Sequence, residues 1–211
     1  MPSVPSIRVI VVDDHFMSRI GLKVPINQQE DMQVVDEGRN AREAIATYRE
    51  HRPDVMTLDY RLPDSEGPEA ARTIRSEFPG ARILVISAAE AEEQIYRAAK
   101  AGVCGYLNKS ADCGVILDAI RRVHAGETVF SGPIAEKLAR RRARADLGER
   151  ELEILGLIVR GFSNKEIAAE LRYSTSTIKQ ELSRLLEKLG VADRTRAATI
   201  AIERGIVDLE E

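Results

Sequence analysis

Three aspartates stand where strongly apolar runs stop in the first half of the chain. Asp13 and Asp14 follow Ile7-Arg8-Val9-Ile10-Val11-Val12, and Asp59 follows Val55-Met56-Thr57-Leu58. Two later runs, Ile83-Leu84-Val85-Ile86 and Gly105-Tyr106-Leu107-Asn108, finish at Ser87 and Lys109. Runs this apolar, with no alternating polar face, are the mark of strands covered on both sides, which occur in parallel sheets flanked by helices. Five strands are expected, over 7–12, 32–36, 55–59, 83–87 and 105–108, with helical periodicity over 16–29, 41–51, 68–78, 90–101 and 112–125. The fold class this predicts is α/β, a doubly wound five-stranded parallel sheet. Ligands in such sheets sit at the carboxyl ends of the strands near the switch in strand order, which brings the three aspartates, Ser87 and Lys109 to one edge. Carboxylates without a cation beside them repel, so the cluster implies a divalent metal and a site for an anion. One local conflict is Pro25, which predicts a kink or an early end of the first helix around Lys23 or Val24.

At 211 residues the chain has room for one large domain or two modest ones. After about Gly132 no strand-like run remains and the pattern is helical throughout, which favours two. A formal net charge of -3 argues against a wholesale nucleic-acid coat and against an anionic-membrane binder. No apolar segment reaches the length of a membrane span, and Met1-Pro2-Ser3-Val4-Pro5-Ser6 lacks the features of a signal peptide, so the expectation is a cytoplasmic protein with no membrane partner. Cys104 and Cys113 lack metal-ligand spacing and read as two ordinary thiols.

With the strand-end set complete and in order, residues 7 to 125 resemble the receiver domain of two-component response regulators, a flavodoxin-like fold. The resemblance implies that Asp59, in Leu58-Asp59-Tyr60-Arg61-Leu62-Pro63-Asp64-Ser65-Glu66-Gly67, is the phosphoacceptor, and that Asp13 and Asp14 hold Mg²⁺. It also implies that Ser87 hydrogen-bonds the phosphoryl group and that Lys109 pairs with it. Tyr106 is read two ways, as the aromatic switch residue of such domains or as an ordinary packing residue. The chemistry stands independently of the family. A carboxylate is a weak nucleophile, so attack on phosphorus needs positioning and charge neutralisation, which Mg²⁺ and Lys109 can supply. Asp14, Asp59 and the backbone carbonyl of Arg61, completed by waters, suit six-coordinate Mg²⁺, with Asp13 acting directly or through water. Lys109 is followed by Ser110 where many receivers have proline, so a cis peptide there would lack its usual low cost. A haloacid-dehalogenase-type phosphatase is the competing enzyme reading; it would need a second acid where Arg61 stands.

Residues 127 to 146 read as a linker with a short helix around 133 to 143, whose Arg140-Arg141-Arg142-Ala143-Arg144 run is either a contact for DNA phosphates or a solvated face. Beyond it come an amphipathic helix ending at Gly161, a short helix opened by the capping box Ser163-Asn164-Lys165-Glu166, a longer helix from about Ser174 to Leu189 closed by Gly190, and a fourth capped by Asp193. Ile178, Leu182, Leu185, Leu186 and Leu189 share one stripe of the third. A short helix, a turn and a longer helix with a polar outer face are the elements of a helix-turn-helix. Gly161-Phe162-Ser163-Asn164-Lys165-Glu166-Ile167-Ala168, Thr177-Ile178-Lys179 and Lys188-Leu189-Gly190-Val191 resemble the LuxR/NarL-type DNA-binding domain. That resemblance implies that Lys179, Gln180 and Ser183 face base edges and that Lys165, Thr177 and Arg184 hold phosphates. From Leu147 onward ten Lys and Arg face twelve Asp and Glu, so a local face must attract DNA. Glu181 stands where the family commonly has histidine, and Gly148 where it usually has a threonine N-cap.

The organisation expected is a receiver over 1–126, a linker over 127–146 and an all-α four-helix DNA-binding domain over 147–211. The function expected is a response regulator phosphorylated on Asp59 by a sensor histidine kinase or a small phosphodonor. Phosphorylation would control homodimerisation and binding to double-stranded promoter DNA, and the chain would be no enzyme beyond its own phosphoryl chemistry. A DNA-free signalling adaptor or phosphate sink is the alternative that Glu181 and the acidic balance leave open.

Overall fold

The computed structural model describes residues 6–130 and 132–207. They fall into two compact units, one running to Glu90 and continuing over Gln94–Leu138, the other comprising Ala91–Glu93 and the described residues from Ala139 onward.

In the first unit β1 (Ile7–Val12), β2 (Met32–Gly38), β3 (Val55–Leu58), β4 (Ile83–Ser87) and β5 (Gly105–Asn108) form one parallel sheet in the order β2-β1-β3-β4-β5. The order reverses between β1 and β3, which pair Val9 with Val55 through Val12 with Leu58. Helices α1 (Phe16–Asn27), α2 (Ala41–His51), α3 (Gly67–Glu77), α4 (Glu92–Lys100) and α5 (Cys113–His124) connect the strands. Neighbouring residues of a strand point to opposite faces. Accordingly Ile10, Val12, Met56 and Leu58 enter one core with Ile74 and Ile95, whereas Val9, Val11, Val55 and Leu84 enter another with Ile116 and Ile120. Each side chain so buried contributes about 1.5–3 kcal/mol relative to exposure.

Of the kink or early end expected for α1, the early end does not occur: the helix continues through Pro25 to Asn27. Pro25 removes one backbone donor, but Ile26 is buried next to it in the second core, the Gln28 N–H reaches the Val24 carbonyl, and the Gln29 side-chain amide donates to the Pro25 carbonyl. Tertiary burial thus outweighs the lost helical bond. The peptide bonds of the described residues are all trans, that between Lys109 and Ser110 included.

Beyond α5, Val129 extends the sheet edge: its N–H donates to Cys104 and its carbonyl accepts from Tyr106. Helix α6 (Pro133–Arg142) begins in this unit, where Ile134 and Leu138 are buried in the core that holds Tyr60 and Tyr106. Lys137 pairs with Glu90 at 2.8 Å, and Glu90 also accepts from Asn108 at 2.7 Å.

The second unit holds α7 (Glu149–Val159), α8 (Asn164–Glu170), α9 (Thr175–Leu189) and α10 (Arg194–Glu203). Ile154, Leu155, Ile158, Ile167, Ile178 and Leu185 are buried at its centre. The Ser163–Glu166 capping box is formed in both directions, Ser174 caps α9 through the Thr177 N–H, and Asp193 caps α10. Gly190 ends α9 at φ 69°, a left-handed conformation that glycine adopts without steric cost. Three members of the arginine run are engaged by acids, while Arg142 is exposed. Arg140 and Arg144 pair with Glu92, and Arg141 pairs with Glu93 and Asp146. No described helix is long and apolar enough to cross a membrane. Cys104 and Cys113 are free thiols.

Candidate functional site

The ends of β1, β3, β4 and β5 deliver the polar groups to a single place. Asp13 and Asp59 are almost wholly buried, at 2% and 6% exposure, Ser87 likewise, and Asp14 is exposed. The Lys109 ammonium lies between the two buried carboxylates, 2.7 Å from Asp13 Oδ2 and 2.6 Å from Asp59 Oδ2. Burial pushes the Asp59 carboxyl above its ordinary value; the hydrogen bond and charge of Lys109 offset only part of this, and the Asp13 charge adds to it. Burial opposes the charge on Lys109, but hydrogen bonds to Asp13 and Asp59 outweigh it and raise the ammonium above its ordinary value.

This donor set fits a hard divalent cation. Ligand atoms of Asp13, Asp14, His15 and Asp59 all lie within 4.8 Å of one another. Positive charge is already drawn between two of them in the form of Lys109. An open depression over the site is lined by Asp14, His15, Asp59, Arg61, Ser87 and Lys109. It gives an incoming anion access to Asp59 from solvent.

Local geometry fixes the acceptor end of β3. The Asp59 N–H donates to Val12, joining it to β1, and the Gly67 N–H donates to the Tyr60 carbonyl at 2.7 Å. A Cβ at Gly67 would stand 2.1 Å from the Asp59 carbonyl oxygen, so only glycine lets α3 start this close. Asp64 accepts from the Ala41 and Arg42 N–H groups, tying the loop after Asp59 to the amino end of α2. At β4 the Ala89 N–H donates to Ser87 Oγ at 3.1 Å, and the Tyr106 hydroxyl donates to the Ala89 carbonyl at 2.7 Å. Tyr106 is fully buried, its ring 6.4 Å from that of Tyr60, and burial pushes its hydroxyl up to about 12.

Sequence reasoning passed over three residues here. His15 lies 2.7 Å from Asp14 Oδ1; its adjacency to the aspartate pair was the available signal. Gly67 carries a signal only in being a glycine after a polar turn. Arg19 is a buried arginine beneath the aspartate pair, on a face of α1 whose pattern gives no hint of it.

In the second unit α9 turns Ile178, Leu185 and Leu189 inward and leaves Lys179, Gln180, Ser183 and Arg184 exposed. Lys165 is exposed on α8, and Thr177 is half-buried, its hydroxyl 2.8 Å from Ser174 Oγ. Glu181 is turned aside: its carboxylate lies 3.4 Å from Arg184 and 3.8 Å from Arg150 of α7, and its side chain is only 17% exposed. Arg150 also covers the Tyr173 ring at 4.6 Å. Lys188 is engaged by Glu151 at 2.6 Å, which joins α9 to α7. The outward face of α9 therefore carries Lys179, Gln180, Ser183 and Arg184 together with the exposed Glu187, while the Glu181 carboxylate is folded back between arginines.

Comparison with known proteins accords with both units. The family described as response regulator receiver domain matches residues 9–121, and that described as bacterial regulatory proteins, luxR family, matches residues 145–201. The response regulator protein VraR of Staphylococcus aureus is 38% identical over 207 residues, covering 96% of this chain and 99% of VraR. Among solved structures, the response regulator ChrA of a heme-sensing two-component system is 31% identical, with a TM-score of 0.57 over 96% of this chain and 99% of ChrA. RcsB of Salmonella enterica serovar Typhimurium, solved bound to a promoter with a phosphomimetic, shares the fold at 22% identity, with a TM-score of 0.72 over 92% of this chain and 97% of its own.

Proposed function

The chain belongs to the two-component response regulators that join a receiver domain to a LuxR-family DNA-binding domain, and we propose that phosphorylation of Asp59 controls its dimerisation and its binding to promoter DNA. The observation that carries this reading is the Lys109 ammonium held between the buried Asp13 and Asp59 carboxylates at the carboxyl edge of the sheet. In this proposal residues 1–126 are the receiver, 127–146 the linker and 147–211 the DNA-binding domain, acting in the cytoplasm. The phosphodonor is a sensor histidine kinase or a small-molecule phosphodonor.

The chemistry is an in-line displacement. An Asp59 carboxylate oxygen forms a bond to phosphorus as the bond to the donor's nitrogen or oxygen breaks, and the leaving group departs with that electron pair. Lys109 turns its ammonium from the Asp59 oxygen to the transferred oxygens, and Ser87 donates its hydroxyl to one of them. Asp13, Asp14, Asp59 and the Arg61 carbonyl would hold Mg²⁺, which when bound neutralises charge on the transferring group. As Ser87 turns its side chain to reach the phosphoryl group, its oxygen moves away from the Ala89 N–H that it accepts from in the unphosphorylated chain. The 87–90 segment then shifts, and Tyr106, whose hydroxyl it anchors, follows. Glu90 ends that segment and holds both Asn108 and Lys137 of α6. The linker helix therefore rests directly on the part of the receiver that would move.

On DNA, Lys179, Gln180 and Ser183 would face base edges from the major groove while Lys165, Thr177 and Arg184 hold phosphates. The turning of the Glu181 carboxylate toward Arg150, with its side chain only 17% exposed, supports this reading over a DNA-free adaptor, because the acid stands aside from the outward groups. A two-fold symmetric dimer calls for half-sites about one helical turn apart as an inverted repeat. The test is labelling with a small phosphodonor, with and without Mg²⁺. The wild-type chain should be labelled only with Mg²⁺ and Asp59→Asn not at all; labelling of Asp59→Asn would overturn the assignment.

A further inference from the structure

Arg19 stands out as a buried cation with an incomplete set of partners. Its side chain is 6% exposed, on α1, a helix whose other buried residue is Ile26. Nη1 donates to the Asp13 carbonyl at 2.7 Å and to the Asp14 carbonyl at 3.2 Å. Nε lies 3.4 Å from Glu37 Oε2 without hydrogen-bond geometry and has no hydrogen-bond partner among the described residues. The Phe16 ring lies 5.8 Å from the guanidinium carbon. Glu37, at the end of β2, is shared with Lys23.

Packing alone does not account for an arginine here. A buried ion pair is generally no more stabilising than well-packed apolar side chains of similar volume, and an apolar residue would leave no buried nitrogen unsatisfied. What arginine adds is a permanently charged, planar guanidinium whose Nη1 donates to two consecutive carbonyls, those of the two acidic residues at the end of β1. Holding both carbonyls restricts rotation of the two peptide groups and so limits where the carboxylates can stand. The His15 N–H donates to Asp13 Oδ1 at 2.9 Å and completes the restraint from the other side. The guanidinium also places positive charge beneath Asp13 and Asp14, against the repulsion that their neighbour Asp59 imposes.

We propose that Arg19 is a positioning residue of the metal site: oriented by Glu37, it fixes the Asp13–Asp14 backbone through Nη1 and so sets the affinity for the divalent cation without touching the cation or the phosphoryl group. This rests on the reading of the strand-end cluster as a Mg²⁺-dependent phosphoacceptor. Residues one shell removed from a metal alter its affinity by about ten- to a hundred-fold when replaced.

The experiment is a calorimetric Mg²⁺ titration of the full chain, wild type against Arg19→Met, Arg19→Lys and Glu37→Gln, with thermal melts and with labelling rates across a Mg²⁺ series. Arg19→Met should raise the Kd for Mg²⁺ about ten-fold or more. Its labelling rate should return to within about three-fold of wild type once Mg²⁺ saturates, since no reacting group has been removed. Arg19→Lys should be intermediate, because an ammonium keeps the charge and can donate to a carbonyl but lacks the planar guanidinium that fixes the direction of the Nη1 bonds, and Glu37→Gln should weaken binding by a smaller factor. Wild-type affinity in folded Arg19→Met, even with a lowered melting temperature, reduces the residue to a packing role and overturns the proposal. Where Arg19→Met does not fold, unchanged affinity in both Arg19→Lys and Glu37→Gln does the same. A wild-type chain that neither binds Mg²⁺ nor is labelled removes the phosphoacceptor reading itself, whereas a wild type that does both beside unaltered variants removes only the role of Arg19.

Discussion

Asp59 carries its charge against its surroundings, and this has a measurable sign. Burial raises its pKa, so the folded chain holds the proton more tightly than the unfolded chain. Below the ordinary aspartate value of 3.8 both states are protonated and nothing is lost. As the pH rises past that value the unfolded chain ionises first, stability falls, and the full cost is present above the folded pKa. In a chelating buffer at neutral pH, Asp59→Asn should therefore melt at a higher temperature than wild type, and the difference should close as the pH drops below 3.8. A lower melting temperature for Asp59→Asn at neutral pH would mean that the pair with Lys109 outweighs the burial. Gly67 is the steric counterpart of this electrostatic cost. Gly67→Ala must move either α3 or the Asp59 carbonyl, because the added carbon would sit 2.1 Å from that oxygen. Overpacking of this kind costs roughly 1–3 kcal/mol. Urea melts should show that loss, accompanied by slower labelling, and wild-type values for both would show that the turn yields freely.

At the scale of elements, the second unit is pinned by Glu151, which reaches Lys188 of α9 and the Gly148 N–H at the start of its own helix. Burial would raise its pKa, but Lys188 and that N–H outweigh burial and lower it. A lowered folded pKa gives stability that is present above the ordinary value of 4.5 and lost as the pH falls through the folded one. Glu151→Gln should cost on the order of 1 kcal/mol at neutral pH. Melts across a pH series should show the gap narrowing into acid; a gap constant with pH would assign the effect to packing. On the outward face, Lys179→Ala should remove the proposed charge-assisted contact, worth on the order of 1 to 3 kcal/mol, and so lower DNA affinity roughly ten-fold or more. If that contact is to phosphate, the salt dependence should flatten as well. Unchanged affinity would exclude this face of α9 from the groove.

The same elements explain what was legible beforehand. The strands could be read because they are covered on both faces and so lack polar interruption, and the acidic site could be read because its members are strand ends. The helix-turn-helix announced itself through local caps at Ser163, Ser174 and Asp193, each bonded within its own first turn. What the sequence concealed depends on partners far along the chain. α1 survives Pro25 because Ile26 is buried in a sheet face, most of the arginine run meets Glu92 and Glu93 some fifty residues upstream, and Glu181 turns toward Arg150 on another helix. Arg19 looks like a surface residue until the carbonyls of Asp13 and Asp14 are seen to point at it.

For the whole molecule, the receiver matters only if the state of Asp59 reaches the DNA-binding face. Ser87, the segment through Glu90, Tyr106 and the start of α6 form a continuous set of hydrogen bonds and packed side chains within the first unit. Ser87→Ala should accept label yet fail to dimerise on phosphorylation, as read by sedimentation, because the acceptor stays intact while the hydroxyl that reports on it is gone. Dimerisation like that of wild type would remove Ser87 from the switch. The most direct measurement is binding of the purified full chain to a promoter fragment, followed by anisotropy, with and without a small phosphodonor in the presence of Mg²⁺. Wild type should bind markedly more tightly once phosphorylated, and Asp59→Asn should show no response to the donor. Equal affinity of wild type with and without a verified phosphoryl group, or no sequence-preferring binding in either state at low salt, would contradict phosphorylation-controlled DNA binding as the function of this chain.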